Sequence, residues 1–247
     1  MNKKPGRTLM GLLLVVLAAT PAMNVAAAPL EHEAIHAARW PRPASLPLVD
    51  AATEARIDAL LARMSLEEKV GQVIQADITS VTPADLREYP LGSVLAGGNG
   101  GPGGDDRAPA PQWLAMARDF HRVALEPRAG HEPIPLLFGI DAVHGHNNIV
   151  GVPLFPHNIG LGAAHDAELE RRIAAATAAE VAATGIDWAF APTVTVPQDV
   201  RWGRSYEGYA ADPKLVAAYG RAMTLGLQGV LEPGRPLAAD RVAATVG

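Results

Sequence analysis

The sequence predicts an α/β protein whose βα units wrap a parallel sheet. Three observations predict it. Short apolar runs alternate with segments of about ten to twenty residues that have helical period. Several of those segments open on an N-terminal capping signal. The apolar runs give way to polar or glycine-rich loops that gather candidate chemistry beyond strand ends, where parallel α/β proteins bind ligands.

Taken in order, residues 1–28 read as a secretory signal peptide. Lys3, Lys4 and Arg7 supply a positive start, 9–19 is apolar, and Val25-Ala26-Ala27-Ala28 offers a small-residue cleavage site. The apolar run is shorter than the roughly 20 residues that span a bilayer, which favours a cleaved leader over an anchor. Export to the periplasm or beyond is the expectation, with no membrane partner after cleavage. Residues 29–50, with Trp40-Pro41-Arg42-Pro43, read as an extended lead-in.

From Thr53 the spacing of Ile57, Leu60, Leu61 and Met64 predicts one helix face. Ser65 and Glu68 make a capping box for a second helix, expected to carry Val70, Val73 and Ile74 inward. Residues 91–96 read as a buried strand running into the glycine-rich loop 97–104. Helix 112–125, strand 135–140 and a helix opening at Asp166 follow. In that helix Glu168 and Glu170 lie near the positive end, Leu169, Ile173 and Ala176 face inward, and Gly185 is the stop. Residues 186–196 read as another strand. Asp212-Pro213 starts a helix with Leu215, Tyr219 and Ala222 on one face. Residues 241–246 begin one more strand. The count is three or four βα units.

Composition narrows the function classes. A chain of 247 residues has room for one large domain or two small ones, and 49% apolar residues can bury a core. A net charge of -5 with scattered basic residues argues against nucleic acid. The absence of cysteine removes disulfides, thiolate catalysis and cysteine-based zinc sites.

Two clusters carry chemistry. The first is Gly139-Ile140-Asp141-Ala142-Val143-His144-Gly145-His146-Asn147-Asn148. Asp141 stands where a strand meets its loop, placed either to accept bonds from sugar hydroxyls or to cap a turn. His144 and His146 have a metal-ligand spacing, but a site needs three or four ligands, and histidines that hold the loop by hydrogen bonds are the stronger reading. The second cluster is Arg201-Trp202-Gly203-Arg204-Ser205-Tyr206-Glu207. With two arginines and two acids close together, one arginine is expected in a structural pair with Asp199 or Glu207 and one in function. The glycine run lacks a P-loop ending and is followed by Asp105 and Asp106, so it reads as a flexible rim rather than a phosphate cradle. Serine-hydrolase and zinc-protease motifs are absent.

Together these segments resemble family-3 glycoside hydrolases. Residues 64–72 resemble the family's opening helix. Residues 139–148 and Phe155-Pro156-His157-Asn158 resemble its β-glucosidase and exo-β-glucanase branch. Thr184-Gly185-Ile186, Phe190-Ala191-Pro192 and Arg201-Trp202-Gly203-Arg204 continue the likeness in order. The resemblance implies that 51–247 form an incomplete (β/α)8, TIM-type barrel, roughly its first half. It implies retaining hydrolysis that removes terminal non-reducing glucose from a β-glucoside or β-glucan, with no cofactor and no metal. Asp141 and Arg204 match family residues that hold the innermost sugar, and Glu207 matches a position near the site.

The family continues the last strand into a Lys-His pair, whereas Gly247 stands here at the lysine position. The resemblance places the nucleophilic aspartate further on and the acid/base glutamate in a second domain. No catalytic carboxylate is therefore assigned, and the chain alone is expected to be inactive and aggregation-prone. Two other readings share these residues. One is a non-catalytic carbohydrate-binding protein. The other is a related exo-glycosidase acting on another sugar, such as an N-acetylhexosamine.

Overall fold

The structure, a computed structural model, describes residues 50–98 and 100–247. The expected signal peptide and nearly all of the lead-in lie outside the described residues. No described helix is long and apolar enough to cross a membrane.

Among the described residues six α-helices and five strands follow one another. Helices α1 (Ala51–Arg63) and α2 (Leu66–Gln72) precede strand β1 (Gln75–Asp77). Strand β2 (Ser93–Ala96), helix α3 (Ala110–Ala124) and strand β3 (Leu137–Ile140) come next. Helices α4 (Asn158–Ala164) and α5 (Ala167–Ala183), strand β4 (Trp188–Ala189), helix α6 (Pro213–Gln228) and strand β5 (Ala243–Ala244) complete the series. The strands lie in the order β1-β2-β3-β4-β5, every neighbouring pair parallel. Sequential, all-parallel order is how a βα barrel winds, so the expected partial barrel is the fold found.

There is one strand more than the apolar runs indicate. β1 is three residues long and has no apolar run, so periodicity does not reveal it. In contrast, the run 186–196 forms a strand only at Trp188–Ala189. Beyond it the chain passes a cis Ala191-Pro192 bond and turns toward the pocket described below.

The helix starts follow the sequence signals. Ser65 and Glu68 form the capping box, with Ser65 Oγ accepting from Glu68 N at 3.1 Å. Asp166 accepts from Leu169 N at 2.8 Å and Asp212 from Lys214 N at 2.9 Å. Gly185 has φ +77° just after α5, the left-handed stop that glycine favours.

The inward assignments on α2, and that of Ala176 on α5, need correction. Val70, Val73 and Ile74 are exposed, Val73 at 85%. The buried side of α2 is Glu68 and Gly71 instead. A Cβ on Gly71 would stand 2.2 Å from the Pro90 carbonyl oxygen, so close backbone contact decides which face turns in. Glu68 accepts from Ser65 N at 2.9 Å and from Glu132 N at 2.7 Å, which compensates its burial. On α1, Ile57 and Leu61 remain exposed and only Met64, just past its end, is buried. On α5, Ala176 faces solvent while Ile173, Ala174, Thr177, Ala178 and Val181 face inward.

The main core joins the sheet to α3, α5 and α6. Val94, Phe138, Ile140 and Ala189 from the strands are fully buried against Trp113, Phe120, Val181 and Leu227. A second cluster of Leu161, Ile173, Tyr209, Val216 and Tyr219 joins α4, α5 and α6 to the loop that follows β4. This second cluster sets the position of the Arg204 loop.

Candidate functional site

Asp141 follows directly on β3, so its carboxylate stands at the C-terminal end of the sheet. A cavity of about 320 Å³ opens there, lined by residues of both sequence clusters. That volume lies at the lower end of the roughly 300–1,000 Å³ usual for small-molecule sites. Asp141, His144 and Val143 come from the first cluster, and Arg204, Tyr206 and Glu207 from the second. His157, Asn158, Phe190 and Thr193 complete the wall.

Each wall residue has a local cause. Gly139 has no side chain because the Phe190 ring fills that space, and a Cβ there would stand 2.3 Å from Phe190 Cζ. Gly145 turns the loop with φ +90°. The chain then returns, Phe155 N donating to His144 O at 2.9 Å, and brings His157 to the start of α4. The His144 and His157 rings meet edge to face at 4.1 Å between centroids, and His157 meets Tyr206 in the same way at 4.8 Å.

Asn158 ties the two halves of the pocket together. Its Nδ2 donates to Thr193 Oγ1 at 2.7 Å and to the Glu207 carbonyl at 2.8 Å. Thr193 Oγ1 donates to the same carbonyl at 2.8 Å. Sequence patterning gives Asn158 no role, and its place in the Phe155-Pro156-His157-Asn158 motif is the only signal.

The charged groups divide sharply. Among the described residues the Asp141 carboxylate has no hydrogen-bond partner, and the surrounding wall removes enough water to push its pKa up. Arg204 is bound in a fork to Glu207, Nε to Oε1 at 2.8 Å and Nη2 to Oε2 at 2.7 Å. That contact holds the Glu207 carboxyl below the usual carboxylate range. Arg201 also pairs, with Asp199, on the exposed side of the loop. Both arginines are therefore ion-paired, in keeping with the expectation of at least one such pair, and only Arg204 also faces the pocket.

His144 and His146 do not converge. His146 is fully buried, with Nε2 2.9 Å from Thr184 Oγ1. Thr184 gives its single proton to Val181 O at 2.7 Å, so His146 Nε2 is the donor in its own bond. Burial pushes the His146 pKa down to about 4. His144 turns into the pocket wall, where burial and then His157 push its pKa down. Among the described residues no three His, Asp or Glu side chains are placed to share a metal. The glycine-rich loop meets this region through Asn148, whose Nδ2 donates to Gly97 O at 3.1 Å.

The sequence and fold of this chain have counterparts in known proteins. The Glycosyl hydrolase family 3 N terminal domain matches residues 65–246. The chain belongs to glycosyl hydrolase family 3. It is 33% identical over 192 residues to the lysosomal beta glucosidase of Dictyostelium discoideum, covering 72% of this chain and 23% of that one. It is 31% identical over 188 residues to the periplasmic beta-glucosidase of Salmonella typhimurium, covering 74% and 22%. The crystal structure of the exo-1,3/1,4-beta-glucanase of a Pseudoalteromonas species superimposes with a TM-score of 0.74 at 47% identity, over 80% of this chain and 24% of that one. The chain thus spans about a quarter of the length of these relatives.

Proposed function

We propose that the pocket holds the terminal, non-reducing glucose of a β-glucoside or β-glucan. The observation that carries this reading is that Asp141, a carboxylate without a hydrogen-bond partner among the described residues, and Arg204 line one cavity at the sheet's C-terminal end. A sugar ring offers hydroxyl donors that the Asp141 oxygens can accept, and hydrogen bonds to a charged acceptor are the strong kind. Arg204 keeps a further nitrogen, Nη1, outside its fork with Glu207 and donates from it to sugar oxygens. The names of the relatives described above, beta-glucosidases and an exo-beta-glucanase, support glucose as the sugar held.

In this proposal the chain supplies the sugar-holding part of a retaining β-glucosidase. Retention needs two carboxyl groups about 5–5.5 Å apart, one as nucleophile and one as acid/base. Glu207 is locked to Arg204 and Asp141 holds the sugar, so neither fills those roles. The nucleophile and the acid/base belong to parts of the enzyme outside these residues. Export to the periplasm or cell exterior, proposed from the leader-like residues 1–28, would bring this pocket to extracellular glucans.

The test pairs two measurements on the purified chain. Glucose binds and an aryl β-glucoside is not turned over. Turnover that disappears in Asp141→Asn would overturn the assignment of Asp141 as a holding residue only.

A further inference from the structure

Helix α5 buries a carboxyl group that the sugar-holding scheme does not use. Glu170 is only 1% exposed, in the first turn of α5. Its sequence position suggests a surface acid beside Glu168, a partner for the helix dipole. Glu168 does stay outside, paired with Arg171 at 2.8 Å. Glu170 turns inward, and its Oε1 accepts from Tyr209 Oη at 2.9 Å. Among the described residues its Oε2 is buried without a partner.

Tyr209 stands two residues beyond Glu207. Its ring tilts against Tyr219 of α6 at 4.8 Å between centroids. Tyr219 Oη donates to Leu161 O of α4 at 2.7 Å and accepts from Asp166 N at 2.6 Å. The backbone of Tyr209 presses on α4, where a Cβ on Gly162 would stand 1.8 Å from the Tyr209 carbonyl oxygen. The loop that carries Arg204 and Glu207 is therefore gripped at its far end by α4, α5 and α6.

We propose that Glu170 is a positioning residue for the sugar pocket: through its bond to Tyr209 it holds residues 205–209, and with them Glu207 and its fork to Arg204, at the pocket wall. The link to sugar rests on the function proposed above, but the grip on the loop does not. A hydrophobic residue at this position would fill the same space without fixing the Tyr209 hydroxyl. An exposed acid would serve the helix dipole at no burial cost. Burying a carboxyl with one oxygen unpaired is unfavourable, so its use here lies in the direction it imposes on Tyr209.

The same burial gives a signature. Desolvation pushes the Glu170 pKa up, with Tyr209 opposing. The titratable groups facing it are Tyr209 from the loop and Tyr219 from α6. A carboxyl with a raised pKa in the fold favours the protonated form. The stability it allows is fully present below the ordinary glutamate value and is lost as pH rises through the raised value.

Hydrogen exchange on the full chain tests the grip, with Tyr209→Phe and Glu170→Gln as variants. Tyr209→Phe removes only the hydroxyl, and its 205–209 amides should exchange roughly three- to tenfold faster while α3 is unchanged. Glu170→Gln keeps an acceptor for Tyr209, so those amides should stay protected, and the loss of melting temperature with rising pH should shrink. Unchanged exchange at 205–209 in Tyr209→Phe would overturn the inference. So would an equal loss of protection throughout the chain in both variants, because Glu170 would then support the whole fold. A glucose titration separates the two claims. Failure of the wild-type chain to bind glucose counts against the proposed function, and faster loop exchange without it leaves the grip standing.

Discussion

Arg204 and Glu207 face each other across one turn of a 3-10 helix, joined by two parallel hydrogen bonds of 2.8 and 2.7 Å. The pair fixes the guanidinium plane against the pocket wall and fills the Glu207 lone pairs. In Arg204→Lys a point charge replaces the fork. Glucose affinity should fall about tenfold or more, on the scale of a lost charge-assisted bond. Calorimetry checks this, with circular dichroism showing the fold retained because the pair is largely at the surface.

Asp141 should bind sugar as the carboxylate. Its pKa is raised by partial desolvation, so the charged form disappears at a higher pH than for an ordinary aspartate. Glucose affinity should therefore decline on acidification before reaching the ordinary aspartate range, and Asp141→Asn should be weak and flat across the same range. Linkage gives the opposite sign for stability: a raised carboxyl pKa disfavours the fold once the group ionises. Asp141→Asn should consequently melt at the wild-type temperature or slightly above it near neutral pH, as differential scanning fluorimetry would show.

His146 predicts the acid limb of stability. Its pKa falls from an ordinary value near 6.5 to about 4 in the fold. The unfolded chain takes up the proton first as pH drops, so stability is full above about 6.5 and is lost progressively down to about 4. The contribution is on the order of 3 kcal/mol. Melting temperatures measured across this range should show the slope in the wild type and a reduced slope in His146→Gln.

Gly162 predicts a steric limit. The Tyr209 carbonyl occupies the place of its side chain. Gly162→Ala should cost roughly 1–3 kcal/mol in stability by overpacking and should displace the Arg204 loop. Urea denaturation gives the first effect and glucose titration the second.

The open edges of the sheet predict self-association. β1 and β5 each pair on one side only among the described strands. Val73 is 85% exposed beside β1, and Val246 is 57% exposed beside β5. Unpaired parallel edges with apolar neighbours recruit other chains. Light scattering of the isolated chain should rise with concentration, and Val73→Lys should reduce that rise.

The parts of this fold legible in the sequence are those governed by near neighbours. The Ser65–Glu68 box, the Asp212-Pro213 start and the Gly185 stop depend on contacts two to four residues apart, and each is found. The two motif clusters also meet, because both follow strands of one parallel sheet. What the sequence hides is set at long range. Glu170 looks like a surface acid until Tyr209, 39 residues later, is placed over it. Val70, Val73 and Ile74 look like a core face until Pro90 takes the Gly71 side of the helix. Strand β1 is Gln75-Ala76-Asp77, and only its register with Ser93-Val94-Leu95 makes it a strand.

The role of Asp141 is tested most sharply by titrating glucose into the 247-residue chain at low protein concentration, beside Asp141→Asn. Saturable binding at one site is expected in the millimolar range, about -4 kcal/mol, and it should be lost in Asp141→Asn while the melting temperature is kept. Absence of saturable binding by the wild-type chain in a folded state, or equal binding by Asp141→Asn, would contradict the assignment.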